Sequence, residues 1–243
     1  MIFDSSTPPT FVFDFDSTLV SIESLDELIA LSIRENHEPD EAGKILEEIR
    51  KITDMGMNGE IDFPESLSRR LKKAPVNRSH IKKFGSSITE SITPGLPAII
   101  KELRTKKYQV LIMSGALIDC VMPVAIKLGI HPSDVFANRA VFDESGRLTG
   151  FEVNDMAKTE GKTLHLGKLI KMGYIRGKII MVGDGISDLE PYRKKIASHF
   201  IGVGIHKKRE TVMREAPYFF TSVPPLKRHI RLLLNNVEFR ASS

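Results

Sequence analysis

Residues 11–20 read Phe11-Val12-Phe13-Asp14-Phe15-Asp16-Ser17-Thr18-Leu19-Val20. The apolar run Phe11 to Phe13 has the length and composition of a buried strand, and it ends on two acids. Period-2 geometry predicts that Asp14 and Asp16 lie on one side of the chain, with Phe15 turned away. Two close carboxylates repel unless a cation or a shared proton relieves them. Two more polar clusters follow apolar runs in the same way. Ser114-Gly115 follows Val110 to Met113, and Gly183-Asp184-Gly185-Ile186-Ser187-Asp188 follows Ile179 to Val182. In open parallel sheets ligands bind beyond the carboxyl ends of the strands, so the three clusters are expected to converge.

Outward from these anchors the periodicity divides the chain. From about Ser21 to Ser91 it is helical: Leu25, Leu28 and Ile29 form one stripe, with Ser24 and Glu27 spaced as a capping box. Ile45, Ile49 and Ile52 form a second stripe, Leu67 and Leu71 suggest a third, and Met55 to Ile61, with Gly56 and Gly59, reads as a loop. After the Pro94-Gly95 turn, helices are expected around Ile99 to Leu103, Leu117 to Leu128, Thr163 to Met172 and Leu226 to Leu234. Strands are expected at Val110 to Met113, Val135 to Ala137, Ile179 to Val182, Phe200 to Val203 and Tyr218 to Phe220, and a short hairpin from Ala140–Phe142 and Leu148–Phe151. Alternating strands and helices give an α/β fold, a Rossmann-like parallel sheet flanked by helices. The helical stretch interrupts it after the first strand. The expected division is a core of residues 1–20 plus 92–243 with an inserted small helical cap domain, residues 21–91.

Composition narrows the classes. The 243 residues carry 35 Lys+Arg against 31 Asp+Glu, a net charge of +4, too small an excess to name a nucleic-acid partner. The cluster Lys207-Lys208-Arg209 reads as a solvated loop. One cysteine, Cys120, excludes an internal disulfide framework or a cysteine zinc site, and its place on an expected helix suits packing. No run approaches the about 18 apolar residues of a membrane span, and Met1 to Thr10 lacks the pattern of a secretory signal. The expectation is a cytoplasmic protein, monomer or homodimer, with neither nucleic acid nor membrane as partner.

Four convergent acids, Asp14, Asp16, Asp184 and Asp188, with no cysteine or histidine set, suggest a hard cation with oxygen ligands, and Mg2+ fits best. Ser114 offers a hydroxyl, Gly115 a backbone N–H and Lys162 a point cation, the donors a phosphate needs. A carboxylate beside the cation can attack phosphorus, and a second can act as general acid and then base. Taken singly, these residues are caps, turns or surface lysines. Their joint placement at three strand ends carries the argument. Two competing motifs fail. Gly183-x-Gly185-x-x-Asp188 lacks the third glycine of a dinucleotide fingerprint. Gly161-Lys162-Thr163 lacks the first glycine and the leading strand of a P-loop.

These motifs resemble those of the haloacid dehalogenase superfamily of phosphohydrolases: Asp14-x-Asp16-x-Thr18, then Ser114, a lysine, and Gly183-Asp184-Gly185-x-x-Asp188. Within it the chain is similar to the phosphoserine phosphatase family over most of its length. Glu23 and Asp26-Glu27-Leu28 match the opening of that family. Met57-x-Gly59, Phe63, Ser66-Leu67 and Arg70 match its cap, and Phe136-Ala137-Asn138-Arg139 with Gly146-x-Leu148-x-Gly150 match its flap. The resemblance implies Asp14 as nucleophile and Asp16 as acid and base. It implies Mg2+ on Asp14, the backbone carbonyl of Asp16, and Asp184, with Asp188 in support. Ser114, Gly115 and Lys162 (rather than Lys158) would hold phosphate. Glu23 would meet a substrate ammonium and Arg70 its carboxylate, with Met57 and Phe63 lining the pocket. The implied reaction converts O-phospho-L-serine to serine and phosphate, as in serine biosynthesis. The family's usual Ser-Gly-Gly-Phe is here Ser114-Gly115-Ala116-Leu117, Ser187 stands where many members have Asn, and the stretch after Leu189 differs. Another small phosphorylated amino acid or metabolite therefore stays open as substrate, and so does phosphotransfer to an acceptor other than water. A catalytically lapsed binding protein is the reading of a different class.

Overall fold

Strand β1, Thr10–Phe13, is buried along its whole length, and its alternate side chains enter two separate apolar layers. Phe11 and Phe13 point into one, with Ile112, Ile180 and Val182. Val12 points into the other, with Leu111, Met113, Ile179 and Met181. A strand covered on both faces needs an unbroken apolar run, which is why these strands show no polar alternation. Each large side chain so buried contributes about 1.5–3 kcal/mol.

The computed structural model describes residues 7–235, except for the Met57 side chain. The main sheet has six strands, all parallel, in the order β3-β2-β1-β6-β7-β8. These are β2, Gln109–Leu117; β3, Val135–Asn138; β6, Ile179–Gly183; β7, His199–Val203; and β8, Tyr218–Phe220. Strands β4, Ala140–Phe142, and β5, Leu148–Phe151, form a separate antiparallel hairpin, as the turn at Glu144 to Gly146 predicts. Helices α5 (Leu96–Thr105), α6 (Ile118–Lys127), α7 (Gly161–Lys171), α8 (Ile186–Arg193), α9 (Glu210–Glu215) and α10 (Val223–Asn235) connect and flank the strands. The chain winds outward through β2 and β3 on one side of β1 and through β6, β7 and β8 on the other. The strand order thus switches between β1 and β6, where parallel sheets open a crevice at their carboxyl ends.

Between β1 and β2 run four helices: α1 (Ser24–Asn36), α2 (Pro39–Met57), α3 (Phe63–Leu71) and α4 (Arg78–Ser87). Their buried residues, among them Leu28, Ile33, Ile49, Leu71 and Ile81, join the same apolar cluster as Phe11 and Phe13. The two connections to the insert lie side by side, with Ser21 N–H donating to the Ser91 carbonyl (2.8 Å) and Thr93 N–H to the Leu19 carbonyl (2.9 Å). Helix α3 starts on Asp62, whose carboxylate accepts from Glu65 N–H at 2.8 Å, and α4 starts on a reciprocal pair between Asn77 and His80.

Three local expectations are corrected. The Ser24/Glu27 capping box does not form; Ser24 instead donates its N–H (2.9 Å) and hydroxyl (3.1 Å) to the Asp16 carboxylate. Met55 to Met57 belong to α2 rather than a loop, because Gly56 is a packing glycine: a Cβ there would lie 2.8 Å from Ser66 Oγ on α3. The stop comes at Gly59, with φ +78°. Ser114-Gly115 does not follow β2 but lies within it, because β2 runs on to Leu117 with a register shift against β3 between Met113 and Leu117. Cys120 is buried, and burial pushes its thiol pKa up. Among the described residues no helix is long and apolar enough to cross a membrane. Met1 to Ser6, most of the stretch read for a signal, lie outside the described residues.

Candidate active site

The crevice between β1 and β6 collects charge from the chain after β1, β6 and β7 and from the start of α7. Asp14 follows β1, and its N–H is held by the Val182 carbonyl of β6 at 2.9 Å. Asp184 follows β6, and Asp188 sits in the first turn of α8. Asp14, Asp184 and Asp188 are all buried, and one oxygen of each lies within 4.8 Å of the others. Gly183 makes room for this: a Cβ there would fall 2.3 Å from Asp188 Cγ. The Asp188 carboxylate is further fixed by the Gly185 N–H at 3.0 Å.

Lys162, on the first turn of α7, reaches across to both Asp14 and Asp188, with Nζ 2.5 Å from an oxygen of each. Burial opposes its charge, but the two carboxylates outweigh burial and its pKa is raised. Lys158 is exposed. Asp14 is pushed up to about 7 by burial and then by Asp188, against the pull of Lys162. Asp184 is also raised by burial, although Arg209 opposes the shift. Three buried carboxylates thus share two cations, and the remaining negative charge fits a hard divalent cation with oxygen ligands.

Asp16 does not join that group of three. Strand β1 ends at Phe13, and Asp16 keeps extended backbone (φ −64°, ψ 140°) before the chain turns at Ser17, φ +52°. Asp16 lies instead at the start of α1, held by Ser24, where the helix N-terminus favours a carboxylate. Burial, then Glu23, raises its pKa well above the usual carboxylate range, and Ser24 only partly offsets them.

Ser114 is buried, and its Oγ accepts the Ala116 N–H at 3.0 Å, which leaves the hydroxyl hydrogen free. The Phe63 ring covers Gly115: a Cβ on Gly115 would meet it at 3.2 Å. Phe63 N–H donates to Thr159 Oγ1 (3.1 Å), and its ring packs against Phe151 with centroids 6.0 Å apart, so the insert touches the core at this point. The side chain of Met57 lies outside the described residues.

Glu23 and Arg70 already have partners. Glu23 Oε1 accepts from Ser17 Oγ (2.8 Å) and Arg209 (3.0 Å) and faces Lys207 at 3.5 Å. Arg70 is buried and donates to Asp26 (2.9 Å), Thr53 (3.4 Å) and the Ser66 carbonyl (3.3 Å).

This arrangement can hold a metal ion and present Asp14 beside a cation to an incoming electrophile. Residues 11–191 match the model of the haloacid dehalogenase-like hydrolase family. The chain belongs to this family. It is 30% identical over 209 residues to the phosphoserine phosphatase of Homo sapiens, covering 86% of this chain and 87% of the human one. To the phosphoserine phosphatase of Methanocaldococcus jannaschii it is 35% identical over 187 residues, covering 75% of this chain and 80% of the other. A solved phosphoserine phosphohydrolase-like protein from Francisella tularensis superposes with a TM-score of 0.80 at 30% identity, covering 91% of this chain and 99% of that one.

In this hydrolase Arg209 corrects the reading of Lys207-Lys208-Arg209 as a solvated loop. Its side chain is only 6% exposed and donates to Asp184 (2.8 Å) and Glu23 (3.0 Å). Lys207 spans Glu23 and Asp54 of α2, and only Lys208 is exposed. The signal was available: the cluster lies beyond the carboxyl end of β7, as Asp14 does for β1 and Asp184 for β6. Thr18, with Oγ1 3.5 Å from Asp184, was visible only as part of the first motif.

Proposed function

We propose that this protein hydrolyses phosphomonoesters through an aspartyl phosphate on Asp14, with O-phospho-L-serine as substrate. The observation that carries the reading is Lys162 bound to Asp14 and Asp188 within the buried trio of carboxylates. Asp14, Asp184 and Asp188, with the Asp16 carbonyl, would hold Mg2+, which when bound offsets their charge and that of the phosphate. Ser114, Gly115 and Lys162 would bind the phosphate oxygens. An Asp14 carboxylate oxygen then forms a bond to phosphorus as the bond to the serine oxygen breaks. Asp16, whose raised pKa lets it carry a proton, protonates that oxygen. Water then attacks phosphorus, giving a proton back to Asp16 and freeing Asp14 and inorganic phosphate. In this reading residues 21–91 act as a cap over a core of residues 1–20 and 92–243, with Phe63 toward the substrate.

Glu23 and Arg70 would recognise the ammonium and carboxylate, but each must first release a partner. That favours a second reading, hydrolysis of another small phosphorylated amino acid or metabolite. Phosphate release from a substrate panel with Mg2+ separates the two. Fastest turnover on phosphoserine is expected, and none with Asp14→Asn. Equal release by wild type and Asp14→Asn would overturn the hydrolase. Faster turnover of a monoester lacking the amino or carboxyl group would overturn the substrate alone.

A further inference from the structure

We infer that Asn138 and Gly161 are positioning residues that set the spacing between the Ser114-Gly115 loop and Lys162, the two sides of the phosphate site. The inference rests on the phosphate-hydrolysing reading above.

Asn138 closes β3 and is fully buried. Its amide nitrogen donates to the Gly115 carbonyl at 2.8 Å and to the Met156 carbonyl at 3.2 Å. The opposite orientation of the amide would set its oxygen against two carbonyl oxygens, so the orientation is forced. The consequence is an Oδ1 that is buried without a partner. Burial of an unpaired acceptor is unfavourable, and here it accompanies a side chain whose two hydrogens tie separate segments together. One segment is the irregular end of β2. There the Gly115 peptide leads into Ala116 N–H, which donates to Ser114 Oγ and leaves the hydroxyl hydrogen without a partner of its own. The other is the short turn Asp155–Ala157 ahead of α7.

Gly161 carries the second half of the connection. A Cβ on it would fall 2.0 Å from the Asp155 carbonyl oxygen and 3.1 Å from Met156 Cα. The turn therefore rests directly on the first residue of α7, and the next residue is Lys162. A continuous chain of contacts runs from the Gly115 carbonyl through Asn138, Met156 and Gly161 to the lysine that meets Asp14. Losing the Asn138 amide frees the Gly115 peptide. Adding a Cβ at Gly161 displaces Lys162. Either change alters the fit to phosphate oxygens, and the Asn138 change does so without removing a contact of Asp14, Asp184 or Asp188.

Asn138→Ala, Asn138→Ser and Gly161→Ala test this in the full chain. Calorimetry measures the Kd of inorganic phosphate in the presence of Mg2+ and the Kd of Mg2+ alone, alongside Tm, KM and kcat. Asn138→Ala and Gly161→Ala should weaken phosphate binding about tenfold or more. In the Asn138 variants Mg2+ affinity should stay within about twofold, and Asn138→Ser, which keeps one donor, should recover part of the loss. In a double-mutant cycle, Asn138→Ala and Ser114→Ala should be less than additive on phosphate affinity. Unchanged phosphate affinity overturns the inference. So does a parallel loss of Mg2+ and phosphate binding that tracks Tm and that Asn138→Ser does not relieve. A wild type that binds no phosphate and hydrolyses no monoester overturns the underlying reading, and this inference with it.

Discussion

At Asp14 burial and the Asp188 charge outweigh Lys162, so the metal-free protein keeps a proton there up to about pH 7, whereas the ordinary value is 3.8. Between those two values the folded state binds more protons than the unfolded chain. The stability this group contributes is complete below 3.8 and is lost as pH rises through about 7. The metal-free protein should therefore lose Tm across that range. A bound divalent cation favours the carboxylate, so Mg2+ should raise Tm more at about pH 8 than at about pH 5. Thermal unfolding with and without Mg2+ checks both; a Mg2+ effect independent of pH would contradict them. The acids of this site were legible residue by residue, because each follows an apolar run. The partner of Asp16 was not, since only the fold sets Ser24, the first residue of α1, against its carboxylate. Arg209 was missed because a basic cluster looks the same in sequence whether solvent or Asp184 faces it.

Elements show how one residue type carries two meanings. Gly59, with φ +78°, marks a stop, whereas Gly56 lies inside α2 because Ser66 of α3 crosses against it. Gly56→Val should force the two helices apart and cost about 1–3 kcal/mol, read by urea unfolding. An unchanged midpoint would mean that the α2–α3 contact is not tight. The strands β1, β2, β6 and β7 were readable because burial on both faces demands unbroken apolar runs. The full extent of β2 was not, since Ser114 and Gly115 have the composition of a turn, and the strand resumes its pairing with β3 only at Leu117, opposite Asn138.

Across the molecule, the insert meets the core through Phe63, whose N–H bonds Thr159 and whose ring covers Gly115. Phe63→Ala should remove that cover. We expect a loss of about 1–2 kcal/mol for this partly buried ring, and a KM for phosphoserine that rises more than kcat falls. Steady-state kinetics decides it, and a change confined to kcat would place Phe63 away from substrate binding.

The sequence by itself determined the α/β class, the strand ends that carry the chemistry and the helical character of the insert. Hydrophobic periodicity and strand-end polarity are local properties, and burial makes them obligatory. Only the tertiary structure decided which charges pair. Arg70 turns to Asp26, Arg209 to Asp184 and Glu23, and Lys162 to Asp14 and Asp188. A long cation can reach any acid within several ångströms, and the sheet order, which sets β6 beside β1 and β7 beside β6, chooses among them.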